Sequence, residues 1–166
     1  ARANSIGFSI ANKGYIGLGL DANFSIVVDF WEWDQAGNTW TQKADFSGTP
    51  RAGSVGFSIG NKGYIGTGTD GTGTVKQDFW EWDLVTDTWA QKTDFPGTAR
   101  ESAMGFSIGT KGYIGMGYDN SQKQDFWEWD QASDTWTKKA DFGGTGRSGA
   151  AAFAIGTKGY IGVGYD

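Results

Sequence analysis

Lys62-Gly63-Tyr64-Ile65-Gly66 is a short run in which small and large residues are mixed, and the chain contains it four times. The same five residues begin at Lys13, Lys62, Lys111 and Lys158, at spacings of 49, 49 and 47. A second run, Asp78-Phe79-Trp80-Glu81-Trp82-Asp83, also begins at Asp29 and Asp125. A Thr-Trp pair follows each copy, ending at Trp40, Trp89 and Trp136. An arginine precedes each Lys-Gly-Tyr-Ile-Gly segment, at Arg2, Arg51, Arg100 and Arg147. Self-similarity at a period of this size marks stacked supersecondary units, none of which buries its apolar face alone.

Outward from Lys62, the second unit resolves into four short segments. Ser54–Ile59 places Val55, Phe57 and Ile59 at alternate positions, the period of a strand. Gly60-Asn61-Lys62-Gly63 is a tight hairpin signal. Tyr64–Gly68 is expected as the second strand, and the Gly-rich 69–77 as a loop. Asp78–Asp83 is expected as a third strand with aromatics on both faces. Leu84–Asp87 is a turn in which carboxylates can accept from nearby backbone N–H groups. Thr88–Lys92 is the fourth strand. No segment sustains a helical period.

The composition narrows the chemistry. The 166 residues include 28 Gly and 9 Trp, all nine Trp in repeated positions, but no Cys and no His. Disulfides, zinc fingers, a Cys nucleophile and a Ser-His-Asp triad are therefore excluded. A net charge of −5 argues against nucleic acid as a partner, because phosphate neutralisation needs a basic surface. No apolar run approaches the roughly 18 residues of a membrane span.

Four antiparallel strands recurring every 47 to 49 residues predict an all-β chain of β-propeller blades. The pattern resembles the kelch repeat, carried in the second unit by Arg51, Tyr64, Gly66, Gly68, Trp82, Asp83, Asp87, Thr88 and Trp89. It departs from the family in one place: where kelch repeats have two adjacent glycines, this chain has Gly-Thr-Gly at 66–68, and Gly-Leu-Gly, Gly-Met-Gly and Gly-Val-Gly in the other units. The Phe-Trp-Glu-Trp version is similar to kelch arrays of bacterial secreted and surface proteins, which implies an extracellular setting. The copper radical oxidases of this fold use His, Tyr and Cys, so the resemblance does not extend to their chemistry. A sialic-acid isomerase of similar fold leaves a carbohydrate-active enzyme as the third reading.

The units run 2–50, 51–99 and 100–146, with a two-strand half unit at 147–166. This makes one repeat domain of about three and a half blades. Bare strand edges at both ends are an association hazard. Three arrangements answer it: a longer kelch array, several copies joined in a ring or an open stack, or one small ring of four blades. Strand exchange does not complete the last blade, because the N-terminus offers first and second strands rather than a third and fourth.

The candidate binding residues are Arg2, Arg51, Arg100 and Arg147, which could form a basic ring for carboxylates or acidic glycans. The alternative is that each pairs with a carboxylate of its unit, such as Glu81 or Asp94, or caps backbone carbonyls. Tyr118 and Tyr165 lie outside the common aromatic positions and are candidate surface contacts. The loops between second and third strands carry Asp21 and Asn23, Asp70 and Thr72, and Asp119 and Asn120. They diverge most between units, so specificity is expected there. Their oxygens are too few for a calcium loop and read as solvated turns, with no metal site. The run Phe24–Val28 is either a lengthened third strand or an exposed patch. Glu32, Glu81 and Glu128 repeat identically and read as structural acceptors, since glycoside hydrolysis needs two unlike carboxylates around one bond. The leading expectation is a non-enzymatic, cofactor-free binding or adhesion scaffold for a protein or glycan ligand. The alternative is a self-assembling structural module.

Overall fold

Every β-strand in the chain is four or five residues long, and each strand pairs only with its neighbours in sequence. The computed structural model describes residues 1–166. The first sheet holds β1 (Ile6–Ile10), β2 (Lys13–Gly17), β3 (Phe30–Asp34) and β4 (Thr39–Lys43). The second holds β5 (Val55–Ile59), β6 (Lys62–Gly66), β7 (Phe79–Asp83) and β8 (Thr88–Lys92). The third holds β9 (Met104–Ile108), β10 (Lys111–Gly115), β11 (Phe126–Asp130) and β12 (Thr135–Lys138). A two-strand sheet, β13 (Ala151–Ile155) and β14 (Lys158–Gly162), ends the chain. All neighbours are antiparallel, in the order in which they occur. No helix is present to span a membrane. These are three propeller blades and a half blade, with the first strands β1, β5, β9 and β13 innermost and side by side.

The hairpin between first and second strands has two turn residues, set by the Ile59↔Lys62 pair. Its first position has positive φ in every blade: Ala11 (53°), Gly60 (61°), Gly109 (59°) and Gly156 (59°). The second strand stops at Gly66 rather than Gly68. Thr67 and Gly68 both take positive φ, 59° and 100°, and this turns the chain out of the sheet. The run Phe24–Val28 does not lengthen the third strand. Ile26 makes an isolated bridge with Leu20, Val28 packs on the first core and Phe24 projects into solvent at 83% exposure.

The core lies between blades. Because side chains alternate across a strand, each blade has a leading face and a trailing face. The leading face of the second blade carries Phe57, Tyr64 and Phe79, stacked in sequence with ring centroids 5.6 Å apart at both steps. The trailing face of the third blade covers it with Trp129 and Trp136, 5.0 and 5.2 Å from the Phe79 ring. The same assembly joins the first two blades through Phe30, Trp82 and Trp89.

The seam depends on a missing side chain. The Phe57 ring lies where a Cβ on Gly112 would be, 2.5 Å from its nearest carbon. Phe8 lies over Gly63 and Phe106 over Gly159 in the same way. Nearer the axis, Gly56 and Gly105 let the first strands come together, with Ile6 Cβ 3.0 Å and Val55 Cβ 3.3 Å from where their own Cβ atoms would stand. The glycines thus admit a ring in the second strand and a neighbouring strand in the first.

Two opposite stability changes follow. Gly63→Ala forces the Phe8 ring aside and should cost about 1–3 kcal/mol, the range for overpacking. Ala11→Gly relieves a left-handed alanine and should gain about 1 kcal/mol. Urea unfolding followed by tryptophan fluorescence reads both.

Candidate functional site

Each repeat arginine is built into the frame rather than displayed. Arg51 and Arg100 are 0% and 1% exposed. Arg51 makes a two-pronged bond to Asp78, at 2.5 and 2.6 Å, and donates to the Thr67 carbonyl at 3.1 Å and the Thr49 carbonyl at 2.9 Å. Arg100 repeats this with Asp125, at 2.5 and 2.8 Å, and with the Met116 and Thr98 carbonyls. Trp80 and Trp127 donate their indole N–H groups to the same aspartates. Phe46 and Phe95 cover the guanidinium faces at 5.2 and 5.0 Å.

The partner is therefore the aspartate that opens the third strand, and not Glu81 or Asp94. Its position fits because the arginine must also reach the carbonyl at the bend after the second strand. One guanidinium thus ties the linker, the bend and the third strand together. Arg2 does the same in a half-buried setting, with Asp29 at 2.5 Å and the Leu18 carbonyl at 3.1 Å. Arg147 keeps the Val163 carbonyl and the Phe142 ring but has no carboxylate within ion-pair reach. The four arginines do not converge on a ligand ring.

The glutamates between tryptophans are equally engaged. Tyr15, Tyr64 and Tyr113 donate to Glu32, Glu81 and Glu128, each at 2.8 Å. Lys13 and Lys62 add ion pairs to Glu32 and Glu81. Burial and the glutamate acceptor push the Tyr113 hydroxyl up to about 12. Burial alone would raise Glu32, but Lys13 and Tyr15 hold it below the usual carboxylate range. Glu128 differs in its cation: Lys111 pairs with Asp130, and Lys139 reaches Glu128 at 3.4 Å.

The loops between second and third strands are closed by their own aspartates. Asp21 Oδ1 accepts from the Asn23 and Ser25 N–H groups, and Asp70 Oδ1 from those of Thr72 and Thr74 and from the Thr72 hydroxyl. Lys76 pairs with Asp70 at 2.7 Å, and Lys123 with Asp119 at 2.5 Å. Asn120 takes φ 73° in the shortened third loop. Tyr118 is 40% exposed and Tyr165 78%. Their backbones bridge to Glu101 and Ser148, which leaves the rings at the loop end of their blades.

These loops wall the concave surfaces that the linear sequence does not reveal. In the third blade a cleft of about 500 Å³ lies between Thr98, Arg100 and the stretch 121–125, with Asp141 at its edge. It has no hydrophobic residue in its lining. Gln122 Oε1 is buried there without a hydrogen-bond partner. In the first blade the equivalent stretch, Ile26-Val27-Val28-Asp29, and the equivalent Asp45 wall a cleft of about 380 Å³. The same framework position is thus lined by Ile, Val and Val in one blade, and by Gln, Lys and Gln in another.

No family model matches the chain, and no curated protein matches it. Among solved structures the chain is similar to that of YjhT, with a TM-score of 0.79 at 18% identity. The match covers 96% of this chain and 57% of that one, so the chain spans little more than half the length of that structure. At that identity the likeness concerns fold alone, and the fold is that of repeated propeller blades.

The arginine lock generates a mutational and a pH prediction. Arg100→Met leaves Asp125 without its cation and should cost about 3 kcal/mol, the lower end for a broken buried pair because Asp125 keeps some solvent contact. Burial opposes ionisation of Asp78 and Asp125, but the arginine and indole donors win and both carboxyls lie below their ordinary value. Their contribution is complete above the unfolded value of about 3.9 and fades as pH falls through the lower native values. Urea midpoints should therefore drop below about pH 4, and less so in Arg100→Met.

Proposed function

We propose that this chain is a non-enzymatic, kelch-type binding scaffold of the extracellular space, serving adhesion or ligand capture through the loop end of its blades. The observation that carries this reading is the pair of equivalent clefts. Both clefts keep the two repeat aspartates, Asp29 and Asp45 in one and Asp125 and Asp141 in the other, whereas the three residues before the first of them change from Ile, Val and Val to Gln, Lys and Gln. Binding residues placed on variable loops over a rigid scaffold are the usual division of labour in such folds. The mainly polar cleft of the third blade suits a hydroxyl-rich ligand, a glycan. Gln122 offers an unpartnered carbonyl acceptor and Tyr118 an apolar face on the same loop, while Gln124 and Lys123 are held by Gly144 and Asp119 at the rim. The apolar wall at Ile26 to Val28, beside the exposed Phe24, suits a protein segment instead.

The carboxylates favour binding over catalysis. Hydrolysis of a glycosidic bond uses one protonated and one ionised carboxyl at a single site. Each repeat glutamate accepts the tyrosine hydroxyl of its own blade and pairs with a lysine. The extracellular setting rests on the resemblance of the Phe-Trp-Glu-Trp units to secreted kelch arrays.

A glycan array spanning neutral and acidic sugars tests the third-blade cleft. Binding should appear for a subset of sugars and fall about tenfold in Gln122→Ala, the effect of losing one hydrogen bond of about 1.4 kcal/mol. Ile26→Ser, on the other cleft, should leave it unchanged. Absence of any sugar binding would overturn the glycan reading.

A further inference from the structure

The two ends of the chain carry the unused halves of every link that joins one blade to the next. Four such links recur inside the molecule, and a fifth, made by Gln131, occurs once because the second blade has Leu84 in its place. A first-strand phenylalanine sits on a second-strand glycine of the following blade, as Phe8 on Gly63, Phe57 on Gly112 and Phe106 on Gly159. A serine hydroxyl donates back to the preceding first strand, as Ser58 to the Ser9 carbonyl and Ser107 to the Ser58 carbonyl, both at 2.6 Å. Backbone N–H groups form a belt around the axis, Gly53 to Asn4, Ser102 to Gly53 and Gly149 to Ser102. A second belt runs the other way, Gly19 to Arg51, Gly68 to Arg100 and Gly117 to Arg147. Gln131 donates to the Tyr64 hydroxyl of the preceding blade at 2.7 Å.

On the half blade the forward-facing members stand open. Phe153, Ile155 and Tyr160 are 53%, 64% and 42% exposed, the outer side of β13 and β14. On the first blade the receiving members stand open. Ser9, Lys13, Gly14, Trp33 and Gln35 line a hollow of about 220 Å³. A Cβ on Gly14 would meet nothing nearer than Trp33 at 3.6 Å, where its counterparts meet a phenylalanine. The hollow is the empty equivalent of the seat that Phe8 fills on Gly63.

We propose that the half blade of one copy docks on the first blade of a second copy, head to tail, in the register of the internal seams. Phe153 enters the hollow over the second copy's Gly14. Ser9 and Gln35 of the second copy donate to the Ala154 carbonyl and the Tyr160 hydroxyl of the first. The Asn4 N–H reaches the Gly149 carbonyl, and the Gly164 N–H reaches the Arg2 carbonyl. Trp33 takes the place on Tyr160 that Trp82 takes on Tyr15, at 5.1 Å between centroids within the chain. A second copy is favoured over an unrelated partner because donors and acceptors match one for one, with opposite polarity at opposite ends. The internal seam between β9 and β13 shows that the inner strands suffice to make such a contact. Since the two surfaces differ, the contact is heterologous and repeats until it closes on itself.

Two variants each disable one face. Gly14→Val fills the hollow yet has room in the free chain, and Phe153→Ala removes the plug from an exposed position. Light scattering on the eluted 166-residue chain should show two or more copies in the parent protein and single chains in either variant, with unchanged circular dichroism. Mixing the two variants should restore a complex of one chain of each, since Gly14→Val keeps its plug and Phe153→Ala keeps its hollow. A parent protein that stays monomeric at all concentrations, variants that assemble like the parent, or a mixture that stays monomeric would each overturn the proposal.

Discussion

The contact on which this architecture rests is an aromatic ring seated on a bare backbone. Phe8, Phe57 and Phe106 each occupy the volume that a side chain on the next blade's glycine would take. A four-stranded sheet with strands of five residues has no interior of its own, so its apolar surface must be buried on another sheet. The phenylalanine fixes how far apart two blades stand near the axis, and the tryptophans of third and fourth strands fill the wider gap outside. The last seam shows what this filling contributes. Its buried cluster is only Met104, Phe106 and Met116, because the half blade brings no tryptophan to cover Tyr113 and Phe126.

The arginine lock solves a different problem. After the second strand the chain leaves the sheet through a residue at positive φ, Leu18, Thr67 or Met116, and returns at the aspartate that opens the third strand. A loop of varying length and sequence intervenes. By holding both the bend carbonyl and the aspartate, the guanidinium makes the start of the third strand independent of what the loop contains. Two residues can then be deleted between Arg100 and Asp125, relative to Arg51 and Asp78, without moving the strand register. A buried ion pair contributes little net stability by itself. Its value here is geometric, since it separates a fixed frame from a variable surface.

Much of this was legible in the residues, because a motif written three or four times separates pattern from accident. Blade number and strand order follow from period and alternation, and identical repetition marks the glutamates as structural acceptors. Other features needed coordinates. The second strand ends two residues early because a Gly-X-Gly run reads as strand, while the left-handed backbone at Thr67 is a tertiary choice imposed by Arg51. The arginine partner was misplaced for a related reason. Asp78 reads as the first residue of the third strand, and only its distance from Arg51 in space reveals the pair. The clefts were invisible, since each joins a linker, a loop and an aspartate from widely separated positions. The one available signal was the exchange of Ile-Val-Val at 26–28 for Gln-Lys-Gln at 122–124.

Repetition also determines what the free surfaces resemble. In a unique sequence, a bare edge is complementary to nothing in particular. In a chain of near-identical blades, the leading face of the last unit is a copy of faces already buried inside, and the trailing face of the first unit is a copy of what buries them. Departures from identity are therefore informative. Asn38 replaces the aspartates that, as Asp87 and Asp134, cap the Ala44 and Thr93 N–H groups of the preceding blade. The outer cap of the first blade has thus lost its charge, whereas Ser9, Gly14 and Gln35 near the axis keep the seam chemistry. At this one outer position the first blade differs from the blades whose trailing faces are buried, and at the inner positions it does not. That pattern fits a surface whose contact is confined to the inner strands, the only strands the half blade presents.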